Sequence, residues 1–194
     1  MIWSALLIAA TLADDSWIVV RVNRDEGTLF SGFSHNHAIR ARQVRSEIAL
    51  EQDGSCRVSL RFPVSALEVD APASRKKYGL KGQLDQDDRA DIRESMLDED
   101  QLDGKRYPEI SFVSDRCRLG DSDLTLNGKI RIRGKSKPVR TTLTRDRGPG
   151  GRMRLRGSIP IRGTDFGIEP YSAGLGAVKN EDAMSLELEL FIRE

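Results

Sequence analysis

The stretch LTLNGKIRIRGKSKPVRTTL, residues 124–143, predicts two antiparallel strands joined by a turn at residues 134–138. Apolar side chains occupy alternate positions on one face of both strands. They are Leu124, Leu126, Ile130, Ile132, Val139 and Leu143. Arginine and threonine residues fall on the opposite face. A period of two places one face of such a hairpin in an apolar interior and the other in water.

Two positions in this hairpin favour local irregularity. The dipeptide Asn127-Gly128 favours a bend or bulge between the two apolar pairs of the first strand. Pro138 has no N–H to donate to a neighbouring strand, so we expect it at the first position of the second strand.

The same alternation recurs on both sides of the hairpin. Further strands are predicted at residues 17–22, 28–33, 42–50, 56–64, 109–113, 153–161 and 184–192. Sequential strands joined by short turns usually pair as neighbours, and closing the resulting sheet into a barrel removes its exposed edges. We therefore expect an all-β protein, an antiparallel barrel of about eight strands.

One helical insertion interrupts the strands. Residues 86–97 predict the one substantial helix, because Asp85 is a suitable N-cap and Asp87 and Asp88 place acidic groups in the first turn. An apolar stripe at helical spacing follows, formed by Ile92, Met96 and Leu97. We expect this stripe to pack on the barrel, so that the helix forms a lid or flank.

Length and charge narrow the class of protein. A chain of 194 residues fits one domain with a sizeable core. The 31 Lys and Arg nearly cancel the 30 Asp and Glu, so the chain lacks the strongly basic balance of a nucleic-acid-binding domain. Nucleic acid is therefore not an expected partner.

The N-terminus resembles an export signal. Residues 2–12 are apolar, and residues 11–13 form a small-residue cleavage site before Asp14. The run is shorter than the ~20 residues that cross a bilayer. We expect a signal peptide at residues 1–13, a barrel domain at residues 14–194 and a periplasmic or secreted protein. No basic residue precedes the apolar run, and the alternatives are a buried first strand or a misplaced start.

Cys56 and Cys117 are compatible with one disulfide in an oxidising compartment. Strict alternation places Cys56 on the same face as Val58, whereas Cys117 falls opposite Ile110. A bulge would bring the two cysteines to one face. Two free thiols remain the alternative.

Side chains predicted to face inward form the expected lining of the barrel. They are Phe30, Phe33, Val58, Leu60, Phe62, Ile110, Phe112, Leu126, Ile130, Ile132, Val139, Leu143, Leu155, Ile159, Phe166, Leu186, Leu188 and Leu190. A barrel of this size is either filled by its side chains or wide enough for one slim ligand.

Four segments in order resemble the YceI-like family of bacterial proteins. They are FSHNH at residues 33–37, RYPEISF at 106–112, the hairpin at 124–139 ending in KPV, and RGTDFGI at 162–168. The resemblance implies a lipocalin-like barrel, export to the periplasm, and an isoprenoid or fatty amphiphile held in the interior. His-Asn-His stands where a single His is usual, and the segment 75–103 is unusually charged.

The candidate polar site is built around His35 and His37, the only histidines. At the barrel mouth they would hydrogen-bond a polar or phosphate head group, with Arg162 and Asp165 as a second part of the mouth. Two imidazoles could also reach one metal ion, but zinc sites normally need three or four protein ligands. A strand-end pair with satisfied ring nitrogens is the structural alternative.

No nucleophile elbow, assignable carboxylate pair or cofactor fingerprint occurs in the sequence. The apolar lining and the resemblance imply a non-catalytic carrier or sequestering protein for a lipid, without a cofactor. A homodimer and contact with a membrane surface are further expectations. The alternative is an envelope stress-related metal-binding protein or enzyme that uses His35 and His37. The arginine-rich residues 145–156 could attract anionic lipid, although solvated outer strand faces explain them more simply.

Overall fold

The computed structural model describes residues 8–28, 35–175 and 177–193. The strands are β1 Ile8–Leu12, β2 Trp17–Arg24, β3 His37–Ala41, β4 Arg45–Leu50, β5 Cys56–Pro63, β6 Leu67–Val69, β7 Glu109–Leu119, β8 Asp123–Ile132, β9 Lys135–Arg147, β10 Met153–Arg162, β11 Ser172–Ala173 and β12 Val178–Arg193. The α-helices are α1 Pro72–Lys77 and α2 Gln86–Leu97, and short 3-10 helices lie at Val64–Ala66, Pro149–Gly151 and Thr164–Phe166.

The strands form a closed antiparallel barrel of eight. The sheet order β1-β4-β5-β7-β8-β9-β10-β12 returns to β1, which pairs with the end of β12. β2 continues β1 along β12, β3 pairs with β2, and β6 pairs with β3. Three of the eight barrel strands are therefore each made of two consecutive segments with different partners. These segments are β1 and β2, β3 and β4, and β5 and β6. The all-β barrel expected from the alternation is confirmed.

The hairpin predicted at residues 124–143 is confirmed, but its turn is shorter than the predicted turn at residues 134–138. The pairing runs from Leu124↔Leu143 to Ile132↔Lys135, and the turn consists of Arg133 and Gly134 alone, both with positive φ. The expected position of Pro138 is wrong: it is the fourth residue of β9, opposite Lys129. β10 pairs with β9 only at residues 144–147 of β9. On the side of β9 that faces β10, Pro138 therefore has no paired strand, and its missing N–H costs no hydrogen bond there.

The irregularity expected at Asn127-Gly128 lies on the partner strand. β8 runs through this dipeptide without interruption, while β7 shifts its register between Ser114 and Arg116, directly opposite. The extra residue turns Cys117 toward the interior, where it forms a disulfide with Cys56 at a Cα–Cα distance of 4.8 Å. The bulge therefore resolves the parity mismatch between the two cysteines.

The helix α2 has the bounds that the sequence predicts. Asp85 caps it, since its side chain accepts from the Asp88 amide at 2.8 Å and the Asp88 carboxylate accepts from the Asp85 amide at 3.1 Å. The helix α1 was not predicted, because its sequence PASRKK has no apolar stripe. It begins at Pro72 and packs against β3. No helix within the described residues is long and apolar enough to span a membrane.

Near the N-terminus, Ile8–Leu12 pairs with both β4 and β12, and Ala10 and Ala13 are buried. This is the arrangement of the first-strand alternative, and cleavage before Asp14 stays a prediction. The strand predicted at residues 28–33 lies, apart from Thr28, outside the described residues. The predicted third strand begins at Arg45 rather than Arg42, and His37–Ala41 forms a strand of its own.

Candidate functional site

The barrel encloses a cavity of about 470 Å³. All sixteen described residues of the predicted lining border it, and Phe30 and Phe33 lie outside the described residues. The agreement follows from strand geometry, because alternate side chains of every strand point to the same side of the wall. Whether these side chains bind a ligand stays a prediction.

Further apolar side chains complete the cavity wall. They include Leu12, Ile18, Val20, Val22, Ile39, Ile48, Leu124, Met153, Ile161, Met184 and Ile192. Most occupy the same alternate positions of predicted strands, so the signal for them was already present in the sequence. The interior is consequently apolar along nearly its whole length.

The helix α2 covers one end of the barrel. Ile92 and Met96 border the cavity, and Met96 and Leu97 pack against the apolar core. The apolar stripe of this helix therefore faces the barrel, as expected of a lid.

Phe166 closes a gap in the wall. The pairing of β9 with β10 covers only four residue pairs, and beyond them the two strands diverge. The 3-10 helix Thr164–Phe166 contacts both strands, and the Phe166 side chain is only 2% exposed. Gly167 follows with φ +74°, a left-handed conformation that glycine adopts readily and that ends this turn. The sequence prediction that Phe166 belongs to the barrel lining therefore agrees with its position.

A polar cluster lies at the covered end, beside the two histidines. His35 and His37 both border the cavity. The Nδ1 atom of His37 lies 2.6 Å from Oδ2 of Asp70, and Oδ1 of Asp70 accepts from the Ala38 amide at 3.0 Å. Arg75 donates from Nη1 to the same oxygen at 3.1 Å. Asp70 is wholly buried, and both of its carboxylate oxygens have polar partners.

The charge of this cluster follows from its contacts. Burial alone would raise the pKa of Asp70, but the hydrogen bonds from His37 and the Ala38 amide and the charges of His37 and Arg75 outweigh it, so the pKa is lowered. An ionised carboxylate only accepts, hence Nδ1 of His37 carries the hydrogen. The Nε2 atom is then an acceptor in the neutral ring and a donor in the charged ring.

Arg75 connects the cluster to the segment that leads into the lid. Its Nη1 atom donates to the Asn36 carbonyl at 3.3 Å, and its Nη2 atom donates to the carbonyls of Lys81 and Gly82. A Cβ on Gly82 would lie 3.3 Å from the His35 ring. The connection between α1 and α2 is thus bound through Arg75 to Asn36 and to Asp70, the partner of His37, and Gly82 of this connection lies close to the His35 ring.

A YceI-like domain profile matches residues 22–191. The chain belongs to the YceI-like family. Its fold is similar to that of Burkholderia cenocepacia BcnA, with a TM-score of 0.61 and 15% identity over 91% of this chain and 96% of that one. It is also similar to a polyisoprenoid binding domain from Saccharophagus degradans implicated in plant cell wall breakdown, with a TM-score of 0.60 and 11% identity over 95% and 97% of the two chains. No curated protein matches the sequence.

The structure does not bring every predicted polar residue of this YceI-like protein to the cavity. Arg162 and Asp165 lie at the same end of the barrel as the histidines, but their side chains are largely exposed. Arg162 pairs with Asp182 at 3.8 Å, and Asp165 pairs with Lys137 at 3.6 Å. Their role at a head group stays a prediction.

Sequence reasoning missed Asp70 and Arg75, because no motif joins them to a histidine more than 30 residues away. The sign that could have drawn attention to Asp70 is an acidic residue directly after an apolar strand pattern, before Ala71-Pro72. Within the described part of this YceI-like chain, no group of three or more His, Cys, Asp or Glu side chains could hold a metal ion. The metal-binding alternative was built on His35 and His37 and stays a prediction.

Proposed function

We propose that this YceI-like protein binds an isoprenoid or other long-chain amphiphile inside its barrel, as a non-catalytic carrier or sequestering protein. The observation that carries the proposal is the cavity of about 470 Å³, walled by apolar side chains and bordered at one end by histidines. Its volume falls within the ~300–1,000 Å³ of typical ligand pockets. Each methylene buried there contributes about 0.8 kcal/mol to binding.

The histidines suggest how a ligand would be oriented. A hydrocarbon chain fits the apolar wall, whereas a hydroxyl or phosphate needs a polar partner when it leaves water. At the covered end, His35 and His37 offer ring nitrogens at the cavity border. The head group is therefore expected at this end, beneath α2, with the chain extending along the barrel.

The similarity to the Saccharophagus degradans domain supports the proposal at the level of fold. That protein is a polyisoprenoid binding domain, and the two chains align over nearly their full lengths. At 11% identity the similarity does not extend to the ligand. The choice of an isoprenoid therefore rests on family membership together with the volume and the mostly apolar wall of the cavity.

The proposed location is the cell envelope, with export to the periplasm or beyond. The small-residue site before Asp14 and the Cys56–Cys117 disulfide support it, since disulfides persist in oxidising compartments. Intact mass of protein from fractionated host cells tests this location. A periplasmic chain is expected, and its N-terminal mass shows whether it begins at Asp14 or retains residues 8–12, which form β1 of the barrel. A cytoplasmic chain would overturn the proposed location.

A pair of tryptophan substitutions on β9 tests the binding proposal. Val139 borders the cavity, whereas Thr142 is exposed on the outer face of the same strand. Val139→Trp should displace several ligand methylenes and weaken binding of a polyprenyl phosphate by roughly tenfold or more. Thr142→Trp is the matched control and should leave binding unchanged. Equal affinities of the two variants, or no binding by the parent chain, would overturn the proposal.

A further inference from the structure

The outer faces of β7, β8 and β9 carry a cluster of cations. Arg116 on β7 and Arg140 on β9 both pair with Asn127 of β8, so they flank it on opposite sides. Lys129 and Arg131 occupy the next two outward positions of β8. We call these four side chains, Arg116, Lys129, Arg131 and Arg140, the basic wall.

Carboxylates do not neutralise the basic wall. Within residues 8–28, 35–175 and 177–193, none of the four side chains makes an ion pair or hydrogen bond, and all four are exposed. The arginines of the neighbouring hairpin differ, although their sequence first suggested an anionic partner. Arg152 pairs with Asp15, and Arg154 and Arg156 pair with Asp146, each at 2.6 Å.

The spacing of the wall suits an array of anionic groups. Adjacent strands lie about 4.8 Å apart, which places Arg116 and Arg140 about 10 Å from each other across β8. Exposed like charges at this spacing repel one another at low ionic strength, where an external anion would relieve the repulsion. Val113 of β7 lies opposite Lys129 and is 54% exposed, an apolar side chain at one side of the cationic group.

Negative charge is concentrated in the segment that contains α2. Residues 85–103, which include α2, contain nine Asp and Glu but only two Arg. This segment lies over the end of the barrel rather than on its wall. An anionic surface would therefore attract the wall and repel the lid, which defines one orientation of the molecule.

We propose that the basic wall docks this barrel, side on, to the surface of an anionic phospholipid bilayer. Lipid phosphates would neutralise the four cations, and Val113 would enter the interfacial region. The occupant is a bilayer because a lipid surface supplies many phosphates at small spacing and accepts an apolar side chain between them. Membrane docking is independent of the proposed lipid ligand, because it requires no ligand in the cavity.

Vesicle flotation with two charge-matched triple variants tests the docking. The wall variant is Arg116→Gln, Lys129→Gln, Arg140→Gln, and the control is Lys76→Gln, Lys81→Gln, Lys105→Gln, which removes the same charge from exposed positions outside the wall. Phosphatidylcholine vesicles with and without about one third phosphatidylglycerol serve as the probe. At low salt the parent chain should float with the anionic vesicles only.

Each wall cation is expected to strengthen binding about fivefold, so the wall variant should bind roughly a hundredfold more weakly. The control should lose far less, and high salt should release the parent chain. Equal losses in both variants, or no preference for anionic vesicles, would overturn the proposal. Single-site variants of the wall repeat the test should the triple variant fold poorly.

A second copy of the chain is the competing occupant, with its acidic lid against the wall. Sedimentation velocity at low salt distinguishes the two. Monomers that bind anionic vesicles support the bilayer. Self-association that the wall variant abolishes, without vesicle binding by the parent chain, would overturn it.

Discussion

His37 and Asp70 are joined by a contact of 2.6 Å between Nδ1 and Oδ2, at the border of a cavity whose wall is mostly apolar. Asp70 is simultaneously bound to Arg75, which holds the carbonyls of Asn36, Lys81 and Gly82. One buried carboxylate therefore connects β3, the last turn of α1 and the segment leading to α2. The cluster fixes the position of a histidine ring and of the lid connection together.

Removing the charge of Asp70 should destabilise the fold strongly. Asp70→Asn leaves Arg75 buried without its carboxylate, and breaking a buried pair in this way costs about 3–5 kcal/mol. Asparagine tolerates the positive φ of this position, so backbone strain adds little. Urea unfolding measures the change. Asp165→Asn, in a half-exposed pair with Lys137, is the control and should cost under about 1 kcal/mol. Equal costs would contradict the account.

Lowering the pH should remove the contribution of the Asp70 carboxylate to the stability of the fold. Because folding lowers the pKa of Asp70, the unfolded state binds more protons in the acidic range and stability rises with pH. The contribution is complete above the unfolded value of 3.8 and is lost as the pH falls through the folded pKa. Unfolding free energies between neutral pH and pH ~2 should therefore fall less steeply in Asp70→Asn than in the parent chain. Parallel curves for the two proteins would refute this assignment.

Reduction of the disulfide should weaken the fold. Cys56 and Cys117 are separated by 61 residues, and a loop of this size corresponds to about 4 kcal/mol in the chain-entropy description. The parent chain should melt at lower temperature in the presence of a reductant. The double variant Cys56→Ala, Cys117→Ala should melt near the reduced parent and show no response to reductant. A parent chain indifferent to reductant would exclude the bridge.

Phe166 should be important for closure of the wall between β9 and β10. Phe166→Ala removes a side chain that is almost fully buried, and such truncations cost about 3–5 kcal/mol. Tyr171→Ala removes an aromatic ring that also borders the cavity but is 43% exposed, and it should cost much less. Thermal unfolding of both variants provides the comparison. If Phe166→Ala is no more destabilised than Tyr171→Ala, the ring does not close the gap.

Alternation made the barrel and its lining predictable, because it reports which side chains share a face. Val58, Leu60 and Phe62 were placed correctly without knowledge of their partners. Alternation carries no information on where a bulge lies, so the sequence left the pairing of the cysteines open. Pro138 was misplaced because its tolerance depends on where the pairing of β10 with β9 ends, a property of the closed barrel.

The polar cluster around Asp70 could be predicted from the sequence only in part. His37 could be recognised as a candidate from its residue type alone. Asp70 and Arg75 could not, since their role depends on burial and on the pairing of β3 with β6. Arg162 and Asp165 were predicted as a second part of the mouth, yet neither borders the cavity, and they pair with Asp182 and Lys137 instead.

Native mass spectrometry of the protein purified from its own host, followed by the same measurement on the denatured chain, tests the central claim most directly. A barrel that carries a lipid should show a mass excess of a few hundred daltons or more that disappears on denaturation, and that excess would identify the cargo. An excess of only tens of daltons would indicate a bound metal ion. A chain that shows no excess, together with no binding of polyprenyl phosphate in vitro, would contradict the proposed carrier.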